Sequence, residues 1–191
     1  MKTIALYGDS LMTGLMNGET SDILNQYVVN ELADMGFPGY EILEFGKRGE
    51  GSAEGLERLA EVVTANADFV VICFGTNDSV KHKDPIDVYG DNLRKLVGAF
   101  STEKVIVLTP GYVNTEIRIE ASNDRQQEYA EMAKQVAKDM GVNVIDLYHH
   151  MTIYPAPKEF LQADGLHPSD EGYNFLGALI ARDIKNKLLT M

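Results

Sequence analysis

Residues 68–74 constrain the fold of this 191-residue chain more than any other stretch. They read Asp-Phe-Val-Val-Ile-Cys-Phe, and so continuous an apolar run is typical of a strand that is covered on both faces. Helical patterns alternate with this strand and with four shorter apolar runs, at 3–7, 40–45, 104–109 and 142–147. The sequence therefore predicts a single domain over 1–191, a three-layer α/β/α sandwich with a five-stranded parallel sheet. Right-handed crossovers favour the flavodoxin-like strand order 2-1-3-4-5.

Apolar positions three or four residues apart mark the predicted helices. These helices begin near Ser21 or Asp22, Ser52, Ile86, Asn123 or Asp124, and Ser169 or Asp170. The helix from Ser52 is expected to bury Leu56, Leu59, Ala60 and Val63. Residues 11–20 and 148–163 have no such pattern, so we expect loops there, the second of them covering an acyl or alcohol pocket.

Ser10 follows the first predicted strand, in the run Gly8-Asp9-Ser10. The carboxyl ends of strands in an open α/β sheet form the crevice in which such proteins bind ligands. A helix that begins after Ser10 would direct its free N–H groups and its positive dipole end into that crevice, which suits a nucleophilic oxygen and the anion it creates. The alternative interpretation is a strand-to-helix turn in which Ser10 or Asp9 is an ordinary N-cap.

Asp164 and His167 are a second pair of candidate catalytic residues, near the other end of the chain. An acid three residues before a histidine, across a turn that contains Gly165, can accept the Nδ1–H of the imidazole and fix its tautomer. Nε2 is then free to take a proton from a serine. The alternative is a solvated surface turn. His82 is a rival base, but it lies in a charged segment, 81–85, that we expect to be solvated.

Four short blocks occur along the chain: Gly-Asp-Ser-Leu at 8–11, a glycine-rich run at 46–51, Gly-Thr-Asn-Asp at 75–78 and Asp-Gly-Leu-His at 164–167. Together, and in this order, they resemble the motifs of the GDSL esterases and lipases, also called the SGNH hydrolases. The resemblance spans roughly the whole chain. One position departs from it, because Glu44 stands where the second block of the family usually opens with Asn.

The resemblance implies a serine esterase that hydrolyses carboxylic esters through an acyl-enzyme. Ser10 would be the nucleophile, His167 the general base and Asp164 its partner. The N–H of Ser10 would also serve the oxyanion hole. The family's enzymes work without metals or organic cofactors.

The remaining oxyanion-hole donors would come from the second and third blocks. Gly49 is the aligned glycine, and Gly46 is the alternative. Asn77 would donate its side-chain amide, although this residue type in this place also suits a helix cap or an Asx turn. We expect the neighbouring Asp78 to hold its loop together rather than act as a base.

The implied partner is a small-molecule ester. The absence of Trp and the scarcity of long apolar loops favour short acyl groups, with acetyl esters, including those of carbohydrates, as the simplest case. The family also contains thioesterases, lysophospholipases and acyltransferases that use the same residues. An alternative from another class is a non-catalytic flavodoxin-like module in which Ser10 and Asn77 bind a small anion.

The sequence predicts no cofactor and no metal. The glycines at 46, 49 and 51 stand in the reverse order of the dinucleotide fingerprint and follow the second strand rather than the first. His149 and His150 are adjacent and point in different directions, with no further ligand at metal spacing nearby. Asp164 and His167 amount to two ligands, which do not make a site.

The chain carries 17 Lys and Arg against 29 Asp and Glu, a formal net charge of −12. This balance argues against nucleic acid and anionic membrane surfaces as partners, and its field favours neutral or cationic substrates weakly in salt. No apolar run approaches the roughly 18 residues of a membrane span, and the first residues lack a signal-peptide pattern. We therefore expect a cytoplasmic enzyme; the sequence carries no indication of oligomeric state.

Overall fold

Five strands form one parallel sheet in a computed structural model of the protein, which describes residues 1–190. They are β1 (Lys2–Gly8), β2 (Tyr40–Gly46), β3 (Phe69–Cys73), β4 (Val105–Leu108) and β5 (Asn143–Ile145). Their order in the sheet is β2-β1-β3-β4-β5, which confirms the predicted order. β3 is the central strand and all of its residues are buried, as its apolar sequence predicts.

Within residues 1–190, eight α-helices and two short 3-10 turns connect and cover the strands. The helices are α1 (Ile23–Asp34), α2 (Ser52–Glu57), α3 (Leu59–Ala65), α4 (Thr76–Val80), α5 (Ile86–Gly98), α6 (Asn123–Met140), α7 (Leu147–Thr152) and α8 (Asp170–Thr190). The 3-10 turns span Ser10–Thr13 and Pro157–Phe160. No helix among residues 1–190 is long and apolar enough to cross a membrane.

The two faces of the sheet have separate cores, and β1 shows why. Its residues alternate in direction, so Ile4 and Leu6 pack with α1 and α8, while Ala5 and Tyr7 pack on the side of α5 and α6. Helices therefore cover both faces of the parallel sheet, which is the predicted α/β/α sandwich.

The strand order brings the ends of β1, β2 and β3 together at one edge. Gly8, the last residue of β1, is level with Gly46 of β2 and Cys73 of β3. A Cβ atom on Gly8 would stand 2.2 Å from the Cys73 carbonyl oxygen, so only glycine fits where the strands approach so closely. The loops that leave these strands consequently begin side by side.

The prediction of loops at 11–20 and 148–163 is partly wrong, because both stretches contain short helical segments. Residues 10–13 form the 3-10 turn, which ends at Gly14 with φ +59°. β5 is shorter than predicted because the Asp146 carboxylate accepts the N–H of His149 at 3.0 Å and so caps α7. Leu147 and Met151, one turn apart on α7, are both buried.

The helix predicted from Ser52 is interrupted at Arg58, which has φ −113° and ψ 13°. The guanidinium of Arg58 turns inward, with Nε 2.6 Å from Glu50 Oε2 and Nη2 donating to the Gly8 carbonyl at 3.1 Å. After the break Val62 is buried, whereas Val63 is 42% exposed and Ala60 is also exposed, contrary to the expected face. Leu56 and Leu59 pack partly buried against the core on the side of α5 and α6, as expected.

Candidate active site

Ser10 lies at the end of β1, where the chain turns away from the sheet. The Asp9 carboxylate caps the 3-10 turn by accepting the N–H of Leu11 at 2.9 Å, and the Thr13 hydroxyl donates to the Ser10 carbonyl at 2.8 Å. Ser10 itself is 5% exposed. Its backbone is therefore fixed by local hydrogen bonds while its side chain faces the carboxyl edge of the sheet.

The structure brings Ser10, His167 and Asp164 together in a continuous chain of contacts. Ser10 Oγ lies 3.0 Å from His167 Nε2, and His167 Nδ1 lies 2.5 Å from Asp164 Oδ2. The other carboxylate oxygen of Asp164 accepts the N–H groups of Leu166 and His167, each at 3.0 Å. Acid, imidazole and hydroxyl thus stand in the order that the sequence predicts for a proton-transfer chain.

Asp164 is held in its ionised form. Burial alone would raise the pKa of its carboxyl group, but the hydrogen bonds from the His167 ring and from the N–H groups of Leu166 and His167 lower that pKa below its ordinary value. Arg118 adds a further contact, since its Nε donates to the Asp164 carbonyl at 2.8 Å. The sequence offered no signal for Arg118, because residues 111–123 have no clear period.

Gln162 joins the two halves of the site. Its Nε2 donates to the carbonyls of Leu15 and Pro168, both at 2.7 Å, and its backbone N–H donates to the His167 carbonyl at 2.8 Å. One side chain therefore links the segment after Ser10 to the segment that carries His167. Sequence reasoning missed this residue, since a glutamine between two loops has no motif.

Gly49 and Asn77 line the same cavity as Ser10 and His167, a space of about 260 Å³. Gly49 has φ +77°, a conformation that favours glycine. Its N–H and that of Ser10 have no acceptor among residues 1–190. Gly46 does not line the cavity; it lies against the 3-10 turn, where a Cβ would come within 2.9 Å of the Met12 backbone.

The side-chain amide of Asn77 is held by two residues that do not line the cavity. Its Nδ2 donates to the Glu50 carbonyl at 2.9 Å and makes a longer contact of 3.4 Å with Asp9 Oδ2. Asp9 is fully buried, and burial, reinforced by the charges of Asp78 and Glu50, raises the pKa of its carboxyl group to about 7. Asn77 therefore sits between the cavity and the buried Asp9, the residue that the sequence offered as an N-cap and that caps the 3-10 turn here.

Asp78 has a structural role, as expected, but it holds the glycine-rich loop at 46–51 rather than its own segment. Its Oδ1 accepts both the N–H and the hydroxyl of Ser52, at 2.9 Å and 2.6 Å. Both residues are fully buried. Because Gly49 lies three residues before Ser52, this pair of hydrogen bonds fixes the loop that presents Gly49.

The other candidate histidines lie elsewhere. His82 is exposed and contacts Arg125, in a hollow lined by neither Ser10 nor Asn77. His149 and His150 lie on α7. Within the described part of the chain, no three His, Cys, Asp or Glu side chains are grouped as metal ligands.

Leu166 lines both the cavity at Ser10 and a second, apolar cavity. The second cavity holds only about 20 Å³ and lies under α7 and α8, with Leu11, Met151 and Phe175 among its walls. Three cationic residues that sequence reasoning did not place at the site also line the first cavity: Arg48, Lys81 and Arg118. Lys81 had a usable signal, since it follows Asn77 by four residues and so lies on the same side of a helix.

Known proteins match this chain along most of its length. The model of the GDSL-like Lipase/Acylhydrolase family matches residues 6–175. The isoamyl acetate-hydrolyzing esterase of Schizosaccharomyces pombe is 27% identical over 91% of this chain and 71% of its own length. The isoamyl acetate-hydrolyzing esterase 1 homolog of Mus musculus is 33% identical over 56% of this chain, and the chain spans about half of that protein (51%).

Solved structures match still more completely. The crystal structure of a lipase/acylhydrolase from Enterococcus faecalis is 39% identical, covers 98% of this chain and 97% of its own, and gives a TM-score of 0.93. A mutant of a Geobacillus acetyl-xylooligosaccharide esterase is 25% identical, covers 96% of this chain and 94% of its own, and gives a TM-score of 0.75.

Proposed function

The chain belongs to the GDSL-like lipase/acylhydrolase family and is a carboxylic ester hydrolase, and from that premise we propose that Ser10, His167 and Asp164 are its catalytic triad. The observation that carries the proposal is the contact of 3.0 Å between Ser10 Oγ and His167 Nε2, with Asp164 on the other ring nitrogen. This arrangement activates a hydroxyl that is a weak nucleophile by itself.

In the proposed reaction Ser10 Oγ attacks the ester carbonyl while His167 Nε2 takes its proton. The imidazolium that forms is stabilised by the ionised Asp164, and it then passes the proton to the leaving alcohol. Water attacks the acyl-serine by the same route in reverse. The lowered pKa of Asp164 supports this assignment, because the acid remains charged while the histidine gains and loses its proton.

The oxyanion forms on the side of Gly49 and Asn77. The N–H groups of Gly49 and Ser10 support this part of the proposal, since both are without acceptors within residues 1–190. The Asn77 amide uses one hydrogen to bind Glu50, which fixes its plane, and the other has only the long contact to Asp9. Removal of one such donor typically lowers kcat by about 100- to 1000-fold.

The proposed substrates are esters of short acyl groups, with acetyl as the leading case. Two observations support this choice. The apolar space next to the site, which shares Leu166 with the cavity at Ser10, holds only about 20 Å³. Two relatives, the isoamyl acetate-hydrolyzing esterase and the acetyl-xylooligosaccharide esterase, also act on acetyl esters by their names.

Covalent labelling tests the nucleophile. Incubation with a fluorophosphonate should add one adduct per chain, located on Ser10 by mass spectrometry, and Ser10→Ala should not react. Hydrolysis of p-nitrophenyl esters from C2 to C12 then measures acyl length. We expect the highest kcat/KM at the short end and a loss of about 10⁴-fold or more in Ser10→Ala. Equal rates in wild type and Ser10→Ala would refute the mechanism, and a maximum beyond C8 would refute the short-chain proposal.

A further inference from the structure

The cavity at Ser10 is cationic, although the whole chain carries a net charge of −12. Arg48, Lys81 and Arg118 all line it, whereas no Asp or Glu side chain of residues 1–190 does. A protein with 29 acidic and 17 basic residues would rarely gather three cations and no acid around one small opening by chance. The local charge is therefore opposite to the field that the composition predicts.

Two of these cations form no ion pair within residues 1–190. Arg48 makes one side-chain hydrogen bond, from Nη1 to the Gly18 carbonyl at 2.9 Å, and has no carboxylate partner in residues 1–190. Lys81 has neither an ion pair nor a side-chain hydrogen bond within the same residues. Arg118 differs, because it binds the Asp164 carbonyl and lies 3.6–3.7 Å from the carboxylates of Glu120 and Asp164.

Both unpaired cations are held beside the oxyanion donors. Arg48 precedes Gly49 directly, and a Cβ on Gly49 would stand 3.1 Å from Lys81 Nζ. The backbone N–H of Lys81 donates to the Asn77 carbonyl at 3.0 Å. The backbone of Lys81 therefore lies about one helical turn, or ~5.4 Å, after that of Asn77. A charged group on a bound ester would meet them a few bonds from its carbonyl.

We propose that the natural substrate is an ester that carries an anionic group, such as a carboxylate or a phosphate, which Arg48 and Lys81 bind. Guanidinium matches the paired oxygens of such groups, and ammonium supplies a second, more mobile charge. The proposal rests on the proposed function, because it names the substrate class of the same site. The anionic group belongs either to the acyl or to the alcohol part, and the experiment separates these two cases.

Paired esters measure the charge preference. The acyl arm compares the p-nitrophenyl monoester of fumarate, whose trans carboxylate cannot reach the ester carbonyl, with the p-nitrophenyl ester of monomethyl fumarate. The alcohol arm compares the acetate ester of 3-hydroxybenzoate with that of 3-hydroxybenzamide. We expect the anionic member of one pair to have a kcat/KM at least tenfold higher at low salt, with the preference shrinking as salt is added.

Charge-removing variants locate the preference. In Arg48→Gln together with Lys81→Gln, the ratio of kcat/KM for the anionic ester to that for its neutral partner should fall about tenfold or more. Lys83→Gln is the matched control, since Lys83 lies two residues away but pairs with Glu54 outside the cavity, and it should retain the wild-type ratio. An equal loss for both esters of a pair would overturn the proposal, because the cations would then serve the reaction and not the substrate's charge.

A binding measurement keeps this result separate from the proposed reaction. N-phenylsuccinamic acid and its methyl ester can be titrated calorimetrically into Ser10→Ala, which needs no turnover. If the acyl pair of esters shows the preference, we expect the acid to bind at least tenfold more tightly, and the advantage to disappear when Arg48 and Lys81 are also replaced. Equal binding of acid and methyl ester, together with no preference in either ester pair, would overturn the inference even if Ser10 is shown to be the nucleophile.

Discussion

The hydroxyl of Ser10 and the Nε2 atom of His167 lie 3.0 Å apart, although 157 positions of sequence separate them. The contact exists because β1 sits in the interior of the sheet and α8 packs with α1 on one of its faces, so that the segment before α8 returns to the end of β1. The alignment of the two side chains then depends on the hydrogen bonds of Asp164 and Gln162, which mutation can remove one at a time.

Replacement of Asp164 by Asn should disable the proposed triad with little change of shape. Asn retains an oxygen for the N–H groups of Leu166 and His167, but its NH2 group would face Nδ1 and select the wrong tautomer. We expect kcat for p-nitrophenyl acetate to fall by about 10³- to 10⁴-fold. Asp170→Asn, which alters an acid three residues beyond His167 at the start of α8, is the control. A kcat within tenfold of wild type for Asp164→Asn would contradict the role of Asp164.

Gln162 should act as a positioning residue. Gln162→Met keeps the size of the side chain but leaves the carbonyls of Leu15 and Pro168 without a donor. We expect a fall of about tenfold in kcat with little change in KM, and a loss of about 1–3 kcal/mol in the free energy of unfolding. Steady-state kinetics and urea unfolding measure the two effects separately.

The exposed Gln127 on α6 provides the control, as Gln127→Met should alter neither quantity. If Gln162→Met loses stability but retains the wild-type kcat, the side chain only supports the fold and does not position His167.

Leu166→Ala should lengthen the acyl chain that the enzyme accepts, because Leu166 is the wall shared by the two cavities. Each methylene that enters apolar space contributes about 0.8 kcal/mol, or roughly fourfold in kcat/KM. We therefore expect the ratio of C6 to C2 p-nitrophenyl ester hydrolysis to rise at least tenfold. Leu161→Ala enlarges the apolar cavity without touching the one at Ser10, so it should leave that ratio unchanged. An unaltered chain-length profile in Leu166→Ala would show that the apolar cavity does not receive the acyl group.

The sequence predicted the parts of this structure that depend on regular patterns. The apolar run at 68–74 is the central strand, and the sheet order followed from alternation and crossover handedness. By contrast, the break at Arg58 depends on a guanidinium that reaches the Gly8 carbonyl, 50 positions away, which no local period encodes. Asp146 is a local signal for the start of helix α7, because it is the helix's N-cap. The apolar pattern instead predicted that the strand continues to residue 147.

At the site, the four sequence blocks predicted residues that the fold brings together. They did not predict the residues that hold those side chains in position. Gln162 and Arg118 bind backbone carbonyls from loops, and such contacts depend on chain conformation rather than on residue type. The cationic lining was hidden for a different reason, because the net charge of −12 averages over a surface on which Arg48 and Lys81 are exceptions.

Asp9 should make the stability of the protein depend on pH. Burial raises the pKa of its carboxyl group from 3.8 to about 7, so between these values the folded chain retains a proton that the unfolded chain has released. The folded state then binds more protons, and the free energy of unfolding falls as the pH rises through this window. At one pKa unit per about 1.4 kcal/mol, the cost of ionising Asp9 is on the order of a few kcal/mol by pH 7.5.

Asp9→Asn keeps an oxygen to cap Leu11 and removes the charge, so its stability relative to wild type should increase by that amount between pH 4.5 and pH 7.5. Urea unfolding of both proteins at these pH values measures the difference, and the exposed Asp34→Asn controls for surface charge. A difference between Asp9→Asn and wild type that stays constant with pH would mean that Asp9 is already ionised in the fold at pH 4.5.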